Sequence, residues 1–225
     1  VNTQSKATKS KLNDPGSLVD RLVVLIRDAI VSGDYKPGAH IGIKKIADAH
    51  GVSMIPVREA LARLLASRIV FVEANRGYFV AAKPTPVEFQ QFVQFREMFE
   101  ISAITAGFDN VTDTDIKALT RLNTKMRKIA EGNKRNTTVA WRNLNGAFHQ
   151  LLVGLAKNKY ISEQYEILSF DHMHIQLARA YDIEFTSLNI LVEQHDGMIE
   201  ALQQRDKTLL ISRLSQHINN LKLNN

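Results

Sequence analysis

Apolar residues in the first eighty positions recur with a helical period, then give way to short β-prone runs. Leu18, Leu22, Leu25, Ile26, Ala29 and Ile30 fall at three- and four-residue steps along one helix face. Ser17 followed by Asp20 makes a capping box for this helix, and Gly33 stops it. Tyr35-Lys36-Pro37-Gly38 reads as a turn. A short second helix turns Ile43, Ile46 and Ala47 inward until Gly51 breaks the chain. A third helix, capped by Ser53, carries Val57, Leu61, Leu64 and Leu65 as its buried stripe. Pro56 lies in its first turn, where a missing N–H does no harm. The runs Ile69 to Val72 and Tyr78 to Ala81, separated by Ala74-Asn75-Arg76-Gly77, predict a hairpin.

Helix, helix, short turn, helix, hairpin within about 65 residues is the outline of a winged helix-turn-helix. Its third helix enters the major groove and its hairpin is the wing. After Pro84-Thr85-Pro86 the pattern is helical throughout, with candidate helices at 86–107, 113–131, 137–157, 160–180, 186–203 and 206–222. The fold class expected is therefore mainly α. A flexible tail (1–16) precedes a winged helix-turn-helix (17–82), a linker (83–87) and an all-α bundle (88–225).

Composition narrows the function. Hydrophobic residues are 44% of the 225 and charged residues 23%, as in an ordinary globular protein. The longest apolar run, Leu151 to Ala156, is six residues, against about 20 for a membrane span. No secretory pattern is read at the N-terminus. With no cysteine, disulfide scaffolds, thiolate metal sites and cysteine nucleophiles are excluded, and a cytoplasmic location is expected. The net charge of +6 is unevenly spread. Residues 1–80 hold 12 Lys and Arg against 7 Asp and Glu, while residues 81–225 hold 17 against 16. Lys6, Lys9 and Lys11 in the tail supply part of that excess. The asymmetry points to an N-terminal module that meets a polyanion and a near-neutral module behind it.

The start of the third helix suits that partner. A helix N-terminus presents free N–H groups and partial positive charge to phosphate, and Ser53 adds a hydroxyl there. Arg58 lies one turn in, on the side opposite Leu61. Gly77 allows close backbone approach to a groove while Arg76 supplies charge. Tyr35-Lys36-Pro37-Gly38, Ile46-Ala47, Gly51-Val52-Ser53-Met54-Ile55-Pro56-Val57-Arg58-Glu59-Ala60-Leu61 and Asn75-Arg76-Gly77 with Val80 resemble the GntR superfamily of transcription regulators over residues 18–82. The resemblance implies DNA contacts at or near Lys44, Ser53, Met54, Pro56, Arg58, Arg76 and Gly77. Met54 stands where the motif commonly has arginine, which implies a different or weaker operator.

A second constellation lies in the helical half. His149 belongs to the stripe of Trp141, Leu144, Phe148, Leu152 and Leu155, with Asn145 one turn before it. His195 shares a face with Leu191, Met198 and Ile199, and His217 lies between Leu214 and Leu221. Three histidines on three apolar helix faces point to a metal site in a bundle core, suited to a zinc, nickel or manganese-like ion. A histidine on such a face is otherwise a hydrogen-bonded core residue. His172 and His174 receive no role. Residues 88–222 resemble the FCD ligand-sensing domain of FadR-like GntR regulators, through Arg96…Glu100, Asn145-x-x-Phe148-His149 with Asn158, Glu193-x-His195 with Ile199-x-Ala201-Leu202, and His217-Ile218. That resemblance implies metal ligation by Asn145, His149, His195 and His217, with Asn145 replacing the commoner aspartate.

Three neutral imidazoles and an amide leave a dication's charge uncompensated in the interior. An anionic effector such as a small carboxylate would offset it, with Arg96 as a second anchor. The expected protein is a homodimeric regulator, a repressor, that binds a near-palindromic DNA operator and releases it to effector. Two alternatives stand beside it: a regulator signalled by metal alone, and a metal-dependent hydrolase. The hydrolase lacks an HExxH motif, a GxSxG elbow and a phosphate-cradling glycine loop.

Overall fold

The computed structural model describes residues 16–82, 84–132, 138–168 and 188–220. The N-terminal tail and the His172/His174 pair lie outside the described residues, as does the predicted helix beyond Leu168. The chain forms two compact units, divided between Lys83 and Pro84.

In the N-terminal unit, α1 (Leu18–Ser32) begins at the reciprocal box read from the sequence. Asp20 N–H donates to Ser17 Oγ at 3.1 Å and Ser17 N–H to Asp20 Oδ2 at 3.0 Å. Gly33, at φ 86°, ends the helix in the left-handed conformation. Then come β1 (His40–Ile41), α2 (Ile43–His50), α3 (Met54–Ala66), β2 (Val70–Glu73) and β3 (Gly77–Val80). The strands pair antiparallel in the order β1-β3-β2. β1 is an addition to the predicted elements, because two residues are too few to print an alternating pattern. Both hairpin strands sit one position away from their predicted ends. The core joins Leu22, Ile26 and Ile30 of α1 to Ile46, Val57, Leu61 and Leu64, and to Ile41, Val70 and Val80 of the sheet. Ala60 completes the α3 stripe, and Leu65, expected inside it, is only partly buried.

The C-terminal unit contains α4 (Pro86–Gly107), a 3-10 turn (Phe108–Asn110), α5 (Asp113–Glu131), α6 (Thr138–Gly154), α7 (Lys159–Leu168), α8 (Leu188–Gln203) and α9 (Lys207–Asn219). α4 begins at Pro86 and ends at Gly107, as predicted, and so takes in the last two residues of the predicted 83–87 linker. Thr85 and Glu88 form a capping box, so Pro86 and Val87 belong to the first turn of α4. α5 packs on α6 and α8, α4 on α6 and α9, and α8 on α9. Their apolar faces make one core, with Phe89, Leu119, Phe148, Val192 and Leu214 fully covered. At one end of it Gly107 meets the end of α6, where a Cβ would lie 2.3 Å from the Leu155 and Ala156 backbone. None of the described helices is long and apolar enough to cross a membrane.

Polar groups are also inside this bundle. Arg96, Glu100, Asn123, Arg142, Asn145, His149, His195 and His217 are all buried. Burying so many polar groups is costly unless they are hydrogen-bonded to one another or to a ligand.

Candidate functional site

The reading head is built by α2, the turn at Gly51 (φ 64°) and α3. Ser53 has the extended backbone of a cap (φ −75°, ψ 164°) but makes no side-chain capping bond, contrary to the simplest sequence reading. The face of α3 opposite the core exposes Met54, Ile55, Arg58 and Glu59, and α2 exposes Lys44. Glu59 does not pair with its neighbour Arg58. It accepts from Arg63 at 3.0 Å, and Arg63 also reaches Asp20 at 2.6 Å. Arg58 makes no ion pair among the described residues. Pro56 is half-buried in the first turn of α3. In the wing, Arg76 pairs with Glu73 and lies 5.2 Å from the Phe79 ring centre. Gly77 has φ 92°, and His40 Nε2 lies 3.3 Å from where its Cβ would be. A side chain here would be strained by the backbone conformation and would crowd the His40 ring.

In the helical unit, α6, α8 and α9 bring together His149, His195 and His217, all buried, with one ligand atom from each within 4.8 Å of the others. His149 Nε2 and His217 Nε2 are 3.1 Å apart. Two imidazoles on one zinc-like ion at about 2.0–2.1 Å would be separated by about 2.9–3.4 Å, so the observed spacing suits a shared cation. Asn145 is buried one turn before His149. Aromatic rings wall His195. Phe148 stacks on it at 4.2 Å between centroids, and Trp141 stacks at 6.5 Å.

Each histidine is held from behind through Nδ1. Glu100 Oε2 lies 2.8 Å from His149 Nδ1, and Gln194 Oε1 lies 2.8 Å from His217 Nδ1. Asn123 Oδ1 is 3.2 Å from His195 Nδ1. The Asn123 amide donates to the Val192 carbonyl at 3.0 Å and to Asp196 Oδ1 at 2.7 Å. Its oxygen is therefore the acceptor, and His195 carries its proton on Nδ1. The Glu100 carboxylate can only accept, so His149 also carries its proton on Nδ1, and the Gln194 oxygen faces His217 Nδ1 in the same way. All three Nε2 lone pairs then face one another. One extra proton shared by His149 and His217 would close that pair, yet His195 Nε2 would still lack a partner among the described residues. A metal ion satisfies all three, and the donor set therefore fits one.

Charges around the cluster support neutral imidazole at His195. Burial first, then the nearby positive charge of Arg96, holds its pKa well below the ordinary value, with Glu100 opposing. Burial alone would raise the Glu100 carboxyl. The charge of Arg96, with the hydrogen bonds that Arg96 and His149 donate, outweighs that and brings it down to about 2. Glu100 Oε1 accepts from Arg96 Nε at 2.6 Å and from Tyr165 Oη at 3.2 Å. Arg96, expected as an effector anchor, is thus buried in an ion pair. Glu100, Asn123, Gln194 and Trp141 had no site role in the sequence reading. Asn123 left a signal, since it sits on the buried α5 stripe of Ile116, Leu119 and Met126.

Comparison with known proteins agrees with both halves. Residues 18–80 match the bacterial regulatory proteins, gntR family, and residues 91–220 match the FCD domain. The chain belongs to the GntR family of regulators that carry an FCD domain. The HTH-type transcriptional regulator YdhC of Bacillus subtilis (strain 168) is 24% identical over 209 residues, 93% of this chain and 91% of that protein. The Nta operon transcriptional regulator of Aminobacter aminovorans is 27% identical over 188 residues, 84% and 85% of the two chains. Among solved structures, E. coli McbR/YncC superposes with a TM-score of 0.75 at 23% identity, covering 91% of this chain and 95% of that one. The chain is a DNA-binding transcription regulator. The relatives named here are transcriptional regulators, which places this chain with the regulators rather than with the hydrolase alternative.

Proposed function

We propose that this GntR/FCD regulator is a homodimeric repressor whose operator affinity is set by a small carboxylate bound at a divalent metal in the helical unit. His149, His195 and His217 would hold the ion, with Asn145 as a fourth, neutral ligand. The observation that carries the reading is the buried His195 Nε2, which has no hydrogen-bond partner among the described residues while its Nδ1 is held by Asn123. The ion would supply a fixed positive centre for an anion. Arg96 and Glu100 cancel in charge, so a dication adds an uncompensated +2 that a carboxylate offsets. Trp141 Nε1, also buried and without a partner among the described residues, is a second donor on the same helix as His149. Arg96 is the proposed second anchor for the carboxylate. Effector would act by favouring one arrangement of paired reading heads over another. Two recognition helices about 34 Å apart suit a near-palindromic operator.

Thermal unfolding against a panel of small carboxylic acids, with and without prior chelation, tests this reading. A ligand at 100 times its dissociation constant stabilises by about 2.7 kcal/mol. The expected result is a stabilising acid whose effect disappears on chelation and which releases operator DNA. A stabilising acid indifferent to chelation removes the metal from effector binding. Release of DNA by metal alone makes the ion itself the signal.

A further inference from the structure

Two large apolar side chains stand in water at the start of α3. Met54 is 45% exposed and Ile55 is 74% exposed, and neither belongs to the unit's core. Met54 lies four residues before the exposed Arg58 and so shares its helix face. The same helix-turn-helix exposes cations: Arg58 on α3 and Lys44 and Lys45 on α2, while the exposed Glu59 is tied to Arg63. The helix N-terminus beside them adds partial positive charge, and Ser53 leaves it without a side-chain cap. An apolar protein surface laid over Met54 and Ile55 would have to bury these charges as well. A DNA major groove welcomes them, and the apolar group it offers there is the C5-methyl of thymine. We propose that Met54 and Ile55 read thymine methyl groups, so that the operator carries A·T pairs beneath the first turn of α3, adjoining the base or phosphate met by Arg58. This rests on α3 being the helix that enters the groove. Base choice at these positions is then made by methyl burial rather than by a bidentate hydrogen bond.

The test begins by selecting duplexes from a randomised pool with the full chain. Each thymine of the selected sequence is then replaced in turn by deoxyuridine, which keeps the hydrogen-bonding edge and removes only the methyl. Burial of one methyl corresponds to about a fourfold change in affinity. The expected result is a loss of about fourfold at one or two thymines per half-site. In Met54→Ala and Ile55→Ala, affinity for the thymine duplex falls and the thymine–uracil difference at those positions vanishes. Both residues are exposed, and unchanged thermal unfolding of the variants shows that the fold is intact. Equal affinity for thymine and uracil at every position overturns the proposal. So does a difference that persists undiminished in both variants. If the intact chain selects no sequence at all, α3 does not read DNA, and the failure lies in the assignment beneath the proposal.

Discussion

His195 shows how much one tautomer decides. Asn123 spends both amide hydrogens on Val192 and Asp196, so its oxygen fixes the proton on His195 Nδ1 and turns the Nε2 lone pair into the cluster. Asn123→Ala removes that constraint from behind the ring, and such outer partners are typically worth 10–100-fold in metal affinity. We therefore expect zinc affinity to fall by about 10–100-fold, measured by competition with a chromophoric chelator. Unchanged affinity would reduce Asn123 to a packing residue. Glu100 supports a pH prediction. Its folded pKa, about 2, lies below the ordinary 4.5. A carboxylate held down by folding stabilises the native state at every pH above its unfolded value, and that contribution is lost as pH falls from about 4.5 toward 2. The metal-free chain should lose thermal stability over that window, and a doubly substituted Arg96→Met, Glu100→Leu chain should lose less of it. Parallel melting curves would contradict this. The histidines themselves were legible in sequence because a helical period places them on apolar faces. Their partners Glu100 and Gln194 were not, since periodicity fixes a residue's face but not which other helix meets it.

At the scale of elements, capping chemistry was the most legible signal. The Ser17/Asp20 box and Gly33 bound α1 as read, and the bundle helices keep within a few residues of those predicted limits that fall among the described residues. Thr85 with Glu88 is the same signal, and it starts α4 at Pro86, where the apolar period also placed the helix. The β1 strand was invisible because its two residues form a strand only by pairing with β3, a non-local contact. Gly107 was equally silent. Its need for glycine comes from the α6 terminus packed against it, where Asn110 Nδ2 also donates to the Leu155 carbonyl at 3.2 Å. Gly107→Ala forces a methyl group into backbone 2.3 Å away. Overpacking of this kind costs about 1–3 kcal/mol, so a clear drop in denaturant midpoint is expected at unchanged slope. A variant as stable as the parent would show that the two helix ends can separate freely.

Across the whole molecule, the charge asymmetry and the two kinds of hydrophobic pattern already separated a basic head from a near-neutral helical body. Helical periodicity put the three histidines on apolar faces, and only the family resemblance implied that they meet; in the structure α6, α8 and α9 bring one ligand atom of each within 4.8 Å of the others. The chain has a single tryptophan, and Trp141 stacks 6.5 Å from His195, so its emission reports on that cluster directly. The most direct measurement is a titration of the chelated chain with cobalt(II), following Trp141 fluorescence and the visible absorption of the bound ion. A metal centre at the three histidines predicts quenching that saturates at one ion per chain and is lost in His195→Ala. Emission unchanged beyond equivalence, with no visible band, would make the three histidines core residues and leave the helical body without a metal-anchored sensor.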